Sequence, residues 1–163
     1  MLDREPRHLF DAEAFFLPVK PRSEVLVHVE VAAAKGAFWY STYQGGLNAQ
    51  LFVKLLKQMM RYRIKPVHLV VDGLPAHKTK HVKEYVASTE GQLTLHFLPG
   101  YAPELNPDEL VWSHVKRTGV SRTPLRKGEK LSEKIEMQLA VIKKMPCLVR
   151  AFFKTPSVAY ITD

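Results

Sequence analysis

Residues 67–71 read Val-His-Leu-Val-Val, with Pro66 before them and Asp72-Gly73 after. The run is too short for a buried helix and is apolar almost without interruption, so it suits a strand covered on both faces. Such a strand belongs inside an α/β sheet with helices packed against it. The flanking sequence supplies the rest of that architecture. Upstream, Val25, Val27, Val29 and Val31 alternate with Leu26, His28 and Glu30, a period of two that predicts another strand. Lys35-Gly36 turns the chain, and the aromatic and β-branched stretch "AFWYSTYQ" is its expected hairpin partner. Asn48 is placed to cap a helix over 49–63, in which Leu51, Leu55 and Met59 form one apolar row and Phe52, Leu56 and Met60 a second.

Beyond residue 72 the pattern alternates again. A charged helix beginning near His77 and running to Ser88 has Val82, Tyr85 and Val86 as its inner stripe, and "QLTLHFL" at 92–98 is a further strand. A loop rich in proline leads into a helix over 107–117, and 118–130 is polar, basic and glycine-containing, as a loop or linker is. A helix over 131–145 carries Ile135, Leu139 and Ile142 on one face. Pro146 ends or bends it before a last short helix, "CLVRAFF". Trp39 and Trp112 are expected in the core. The order is hairpin, helix, strand, helix, strand, helix, helix, which makes the chain α/β with its later strands parallel. Its 163 residues fit one domain, with no internal repeat.

Lys and Arg total 24 against 16 Asp and Glu, a net charge of +8, which points to a polyanionic partner such as nucleic acid. The single cysteine, Cys147, excludes an internal disulfide and a thiolate metal cluster, and it reads as a small buried apolar residue. No apolar run approaches the length of a membrane span, and the first residues lack a signal-peptide pattern, so a cytoplasmic protein is expected.

Two acids stand where chemistry could be done. Asp72 closes a buried strand, and ligands of open α/β sheets collect beyond the carboxyl ends of such strands. Its structural alternative is an Asp-Gly turn or a cap on the helix near His77. Glu109 lies in "PGYAPELNPDELVW". With Asn106 as N-cap and Pro107 at the first helical position, Glu109 would complete a capping box, and Asp108 would favour the helix dipole. Capping explains every polar residue of "NPDE", yet the first turn of a helix can also aim a carboxylate into a cleft. The local pattern leaves both open.

The combination is more specific. "LVVDG", then His77, then a strand and Pro99-Gly100-Tyr101-Ala102-Pro103-Glu104-Leu105-Asn106-Pro107-Asp108-Glu109-Leu110-Val111-Trp112 resembles the second and third catalytic segments of the DDE transposases of the mariner-like superfamily, in particular those of insertion sequences of the 630 type. Its pattern singles out Glu109 rather than Asp108 or Glu104 as the final acid, and 36 residues separate it from Asp72. The similarity extends over about residues 24–163. It implies an RNase H-like fold, with a mixed central sheet flanked by helices. It also implies cleavage and transfer of double-stranded DNA at transposon ends and target, with two Mg²⁺ ions (Mn²⁺ as a substitute) held by two Asp and a Glu. Asp72 and Glu109 are then catalytic metal ligands, and Lys78, Lys80, Lys116 and Arg117 flank them as candidate phosphate contacts, the alternative being a solvated helix face. His77 could approach the metal or serve structure alone. The oligomeric state is left open, a homodimer among the options.

Three departures from the family pattern bear on function. Gly73 stands where the family often has Asn. No helix-turn-helix region precedes the domain, so the chain reads as one truncated at its N-terminus. The family's first Asp belongs on the first strand, and here residues 8–17 are expected to form that strand with Asp11 as the first ligand, Asp3 being the poorer candidate. The competing functional readings are a catalytically silent fragment that binds DNA by charge and a purely structural or oligomerising domain.

Overall fold

In a computed structural model the chain is described over residues 13–17, 27–32, 35–43, 45–100, 103–120, 122 and 125–161. Five strands and five α-helices run in the order β1 (Glu13–Leu17), β2 (Val27–Ala32), β3 (Phe38–Tyr43), α1 (Ala49–Met60), β4 (Val67–Val71), α2 (Lys80–Ser88), β5 (Leu93–Phe97), α3 (Asp108–Val115), α4 (Leu131–Lys143) and α5 (Pro146–Phe152). β1, β4 and β5 form a parallel sheet in that order, with Val67 opposite both Glu13 and Leu93. The apolar run that anchors the sequence reading is thus the middle strand. β2 and β3 form the expected antiparallel hairpin. Gly36 turns it with φ +94, and a Cβ there would meet the Pro146 carbonyl oxygen at 2.8 Å, so both conformation and space require glycine.

Alternation along β4 assigns its residues to two cores. Val67, Leu69 and Val71 pack with Phe52, Leu55, Leu56 and Met59 of α1, Val82 of α2 and Leu93 of β5. Val70 lies on the other side, against Val111 and Val115 of α3, Ile135, Leu139 and Ile142 of α4, and Val149, Phe152 and Phe153 near the C-terminus. Helices therefore cover the sheet from both sides, as a doubly buried strand demands. Trp39 and Trp112 sit half-buried at the margins of these clusters. None of the described helices is long and apolar enough to cross a membrane.

Several local expectations are corrected. α1 stops at Met60. The helix expected near His77 starts at Lys80, because Thr79 supplies the cap: its Oγ1 accepts from the Val82 amide at 3.4 Å. Pro75–Lys78 form a 3₁₀ turn before it. α3 begins at Asp108 with Pro107 at the cap position, which moves Glu109 one place nearer the helix start than the capping box has it. The expected loop from Thr118 instead continues the helix as a π-turn over Lys116–Val120, where the Thr118 hydroxyl donates to the His114 carbonyl at 2.7 Å. Pro146 opens α5 as its first residue rather than ending α4, which stops at Lys143. Cys147 is exposed, not buried, because that first turn of α5 faces outward; Arg150 Nη2 donates to its sulfur at 3.2 Å.

Candidate active site

The ladder of β4 ends at Val71, and Asp72 is the first residue beyond it. β5 leaves the sheet at the same level, since the Leu98 amide donates to the Val71 carbonyl at 2.9 Å. Asp72 therefore stands at the carboxyl edge of the sheet, where the helices diverge and a ligand can enter. Its surroundings are set by the 3₁₀ turn at 75–78. Pro75 opens the turn, and the His77 amide donates to the Leu74 carbonyl at 3.0 Å. This folds His77 back beneath Asp72, where the imidazole has 0% exposure and packs on the Phe52 ring with centroids 4.3 Å apart.

His77 Nδ1 lies 2.8 Å from the Asp72 backbone carbonyl oxygen and 3.1 Å from Asp72 Oδ1. A carbonyl oxygen only accepts, so Nδ1 carries the hydrogen and donates it there. The N–H is directed at the carbonyl oxygen, and Oδ1 stands beside the same nitrogen in an ion-pair contact. Among the described residues, the buried side-chain polar atoms that lack a hydrogen-bond partner are Asp72 Oδ1, His77 Nε2 and the Tyr43 hydroxyl. The three belong together. Tyr43, at the end of β3, has its pKa pushed up to about 12, first by burial and then by the Asp72 charge, so the phenol is within electrostatic reach of that carboxylate.

A buried carboxylate oxygen with no donor is costly unless something positive meets it. Hard oxygen of this kind suits Mg²⁺ or Mn²⁺, so Asp72 fits a divalent cation in chemistry. Among the described residues no three His, Cys, Asp or Glu form a group that could hold a metal. Asp11 lies outside the described residues. The acid on β1, Glu13, pairs with Val67, and the β1 residues level with Val70 and Val71 are Phe16 and Leu17.

Glu109 lies in the first turn of α3. The chain leaves β5 at the carboxyl edge, makes a 3₁₀ turn at Pro103–Leu105 and buries Asn106 and Pro107 before α3 begins. The Glu109 amide donates to the Asn106 carbonyl at 3.1 Å, and Val111 and Val115 anchor the helix in the core. Glu109 itself is half-buried in the first turn.

The four basic candidates differ in their surroundings. Lys78 is at the site: its ammonium sits 5.4 Å from the Phe97 ring centroid, and a Cβ on Gly73 would lie 3.1 Å from it. Gly73 thus leaves room for a cation beside Asp72. Lys80 points to solvent and pairs with Glu84 at 3.6 Å. Lys116 and Arg117 are exposed on the π-turn, and the Arg117 charge, after burial, lowers the His114 pKa. Sequence reasoning missed Tyr43, Phe52 and Phe97. Their only signal is position at a strand end or on a helix's inner row, and it acquires meaning once the register is known.

A family model described as "DDE superfamily endonuclease" matches residues 17–132. No curated protein matches the chain. Among solved structures, the catalytic domain of Mos1 mariner transposase is similar over 89% of this chain and 84% of its own, at 15% identity and TM-score 0.54. The same domain with raltegravir and Mn gives 17% identity and TM-score 0.52, over 89% of this chain and 84% of its own. A chain of the simian T-cell lymphotropic virus intasome, in complex with PP2A regulatory subunit B56 gamma, gives 10% identity and TM-score 0.52, over 87% of this chain and 50% of that one. The fold is RNase H-like, as these likenesses and the parallel strands covered by helices agree.

Proposed function

The chain belongs to the DDE superfamily endonuclease family, and we propose that it is a transposase catalytic domain of the insertion-sequence 630 type that cuts and joins double-stranded DNA with divalent metal. One observation carries the reading. Asp72 directly follows the middle strand of the described sheet and carries a buried carboxylate oxygen without a hydrogen bond, 3.1 Å from a histidine that holds its backbone. Asp72 and Glu109 are the proposed metal ligands, for two Mg²⁺ ions or Mn²⁺ in their place. When bound, such ions activate water or a DNA 3′-hydroxyl and stabilise the departing oxygen during in-line displacement. The protein's own residues do the positioning. His77 fixes the strand end, Lys78 offers a phosphate contact over Gly73, and the +8 charge draws in the duplex. Lys116, Arg117 and Lys80 are proposed as more distant phosphate contacts.

A second reading, a catalytically silent domain that still binds DNA, is favoured by a different observation. The strand paired with β4 brings Phe16 and Leu17, not a carboxylate, to the level of Val70 and Val71. Asp11, the sequence's candidate for the first ligand, lies outside the described residues. Supercoiled plasmid decides between the readings. Nicking that requires Mg²⁺ or Mn²⁺ and disappears in Asp72→Asn and Glu109→Gln supports the enzyme. Salt-sensitive DNA binding with no nicking at any metal concentration supports the silent domain. Nicking that is equal in wild type and both variants would be contamination and removes the enzymatic reading.

A further inference from the structure

We infer that His77 is a positioning residue, whose Nδ1–H hydrogen bond to the Asp72 carbonyl sets the direction in which the Asp72 carboxylate meets a metal ion. The inference rests on the proposed role of Asp72. Three features carry it. The bond is short, at 2.8 Å, and its acceptor can only accept, so Nδ1 carries the hydrogen. The ring has 0% exposure and is held from below by Phe52, so it cannot swing away without opening the core. The second nitrogen, Nε2, is buried with no partner, a cost that packing alone does not require of this position. An apolar side chain of similar size would fill the space without that cost. What the imidazole adds is the donor at Nδ1, aimed at the residue that ends β4. The Asp72 carboxylate lies 3.1 Å from that same nitrogen, so its rotamer is confined from one side.

The test uses two amides that place a donor differently. The Asn side chain puts its N–H near the position of Nδ1, and Gln puts it near Nε2. Mn²⁺ binding to wild type, His77→Asn and His77→Gln is measured by electron paramagnetic resonance of free MnCl₂, alongside thermal melts. Groups that orient a metal ligand typically change affinity by about 10–100-fold when removed. His77→Asn is expected to bind within about threefold of wild type and His77→Gln at least about tenfold more weakly, whichever variant is the less stable. Equal affinities in the two variants overturn the inference and leave a packing role. Absence of Mn²⁺ binding in wild type overturns the metal reading of Asp72 and this inference with it. A metal-free readout separates the two failures: ¹⁵N NMR of labelled imidazole should show Nδ1 carrying a hydrogen. A bare Nδ1 at His77 overturns the hydrogen-bond assignment itself.

Discussion

β1 and β4 are parallel neighbours of five residues each, joined rung by rung from Glu13–Val67 to Leu17–Val71. They end differently. β4 ends in Asp72, underpinned by His77 and Phe52 and in reach of the Tyr43 phenol. β1 brings Phe16 and Leu17 to the same edge. In a parallel sheet the carboxyl ends of adjacent strands face one crevice, so a site that needs several carboxylates usually draws on both. Among the described residues, the polar groups placed at this edge belong to β4's end. Fold and site are therefore separately testable: the frame is read from strand register, the ligand set from the carboxylates that meet a metal.

The largest effect is expected from removing the support under β4. Phe52 is fully buried and touches both the α1 core and the His77 ring. Phe52→Ala should destabilise the domain by about 3–5 kcal/mol, from lost burial and the cavity left behind. Urea unfolding measures it. A loss under about 1 kcal/mol would mean that the site collapses without cost and that β4's end is no better supported than β1's.

The next comparison addresses the ligands directly. Asp72→Asn should weaken Mn²⁺ binding by at least about 10–100-fold, the range that even outer groups of a metal site command. Asp11→Asn tests the candidate first ligand in the same way: a change under about threefold would leave Asp11 outside the site. Titration of the two variants side by side settles whether β1's side contributes. Equal losses would bring Asp11 into the site and erase the asymmetry between the strands.

Much of this frame was legible in the residues. Period-two valines, the Asn48 cap and the inner rows of α1 and α4 are local signals, and each element formed as those signals require. Asn48 Oδ1 accepts from the Leu51 amide at 2.8 Å, as an N-cap does. The misreadings were also local. Thr79 outcompeted His77 as a helix start because its hydroxyl can cap and a histidine held by Asp72 cannot. The His77–Asp72–Tyr43 grouping was not legible, since it depends on the sheet register and on a 3₁₀ turn that carries no periodic pattern. Buried Tyr43 and exposed Cys147 show the same limit: residue type alone does not say which way a side chain faces.

Tyr43 gives a pH test of β4's polar end. Its phenol titrates near 12 rather than 10, so the folded state holds the proton more tightly than the unfolded chain. The stability this contributes is fully present below pH 10 and is lost as pH rises from 10 to 12. Unfolding midpoints measured across that window should fall more steeply in wild type than in Tyr43→Phe. In Asp72→Asn the phenol should titrate lower than in wild type yet remain above 10, because burial is the larger cause. An unchanged Tyr43 titration in Asp72→Asn would place the phenol outside the carboxylate's reach and shrink the polar cluster to Asp72 and His77.

The smallest effect separates two lysines only two positions apart. Lys78 is held over Gly73 beside Asp72 by the Phe97 ring, whereas Lys80 extends into solvent and shares its charge with Glu84. If the crevice at β4's end receives DNA, Lys78→Ala should weaken duplex binding uniformly across sequences and reduce the slope of log affinity against log salt by about 1. Lys80→Ala should leave the slope near its wild-type value, since a partly neutralised lysine away from the crevice displaces few counterions on binding. Gly73→Asn sharpens the comparison without removing a charge. Its side chain needs the space now held by the Lys78 ammonium, so it should lower affinity at low salt in the same direction as Lys78→Ala. Fluorescence anisotropy over a salt series reads all three. A slope that responds to Lys80 and not to Lys78 would move the DNA away from Asp72, and with it the case that β4's polar end faces the substrate.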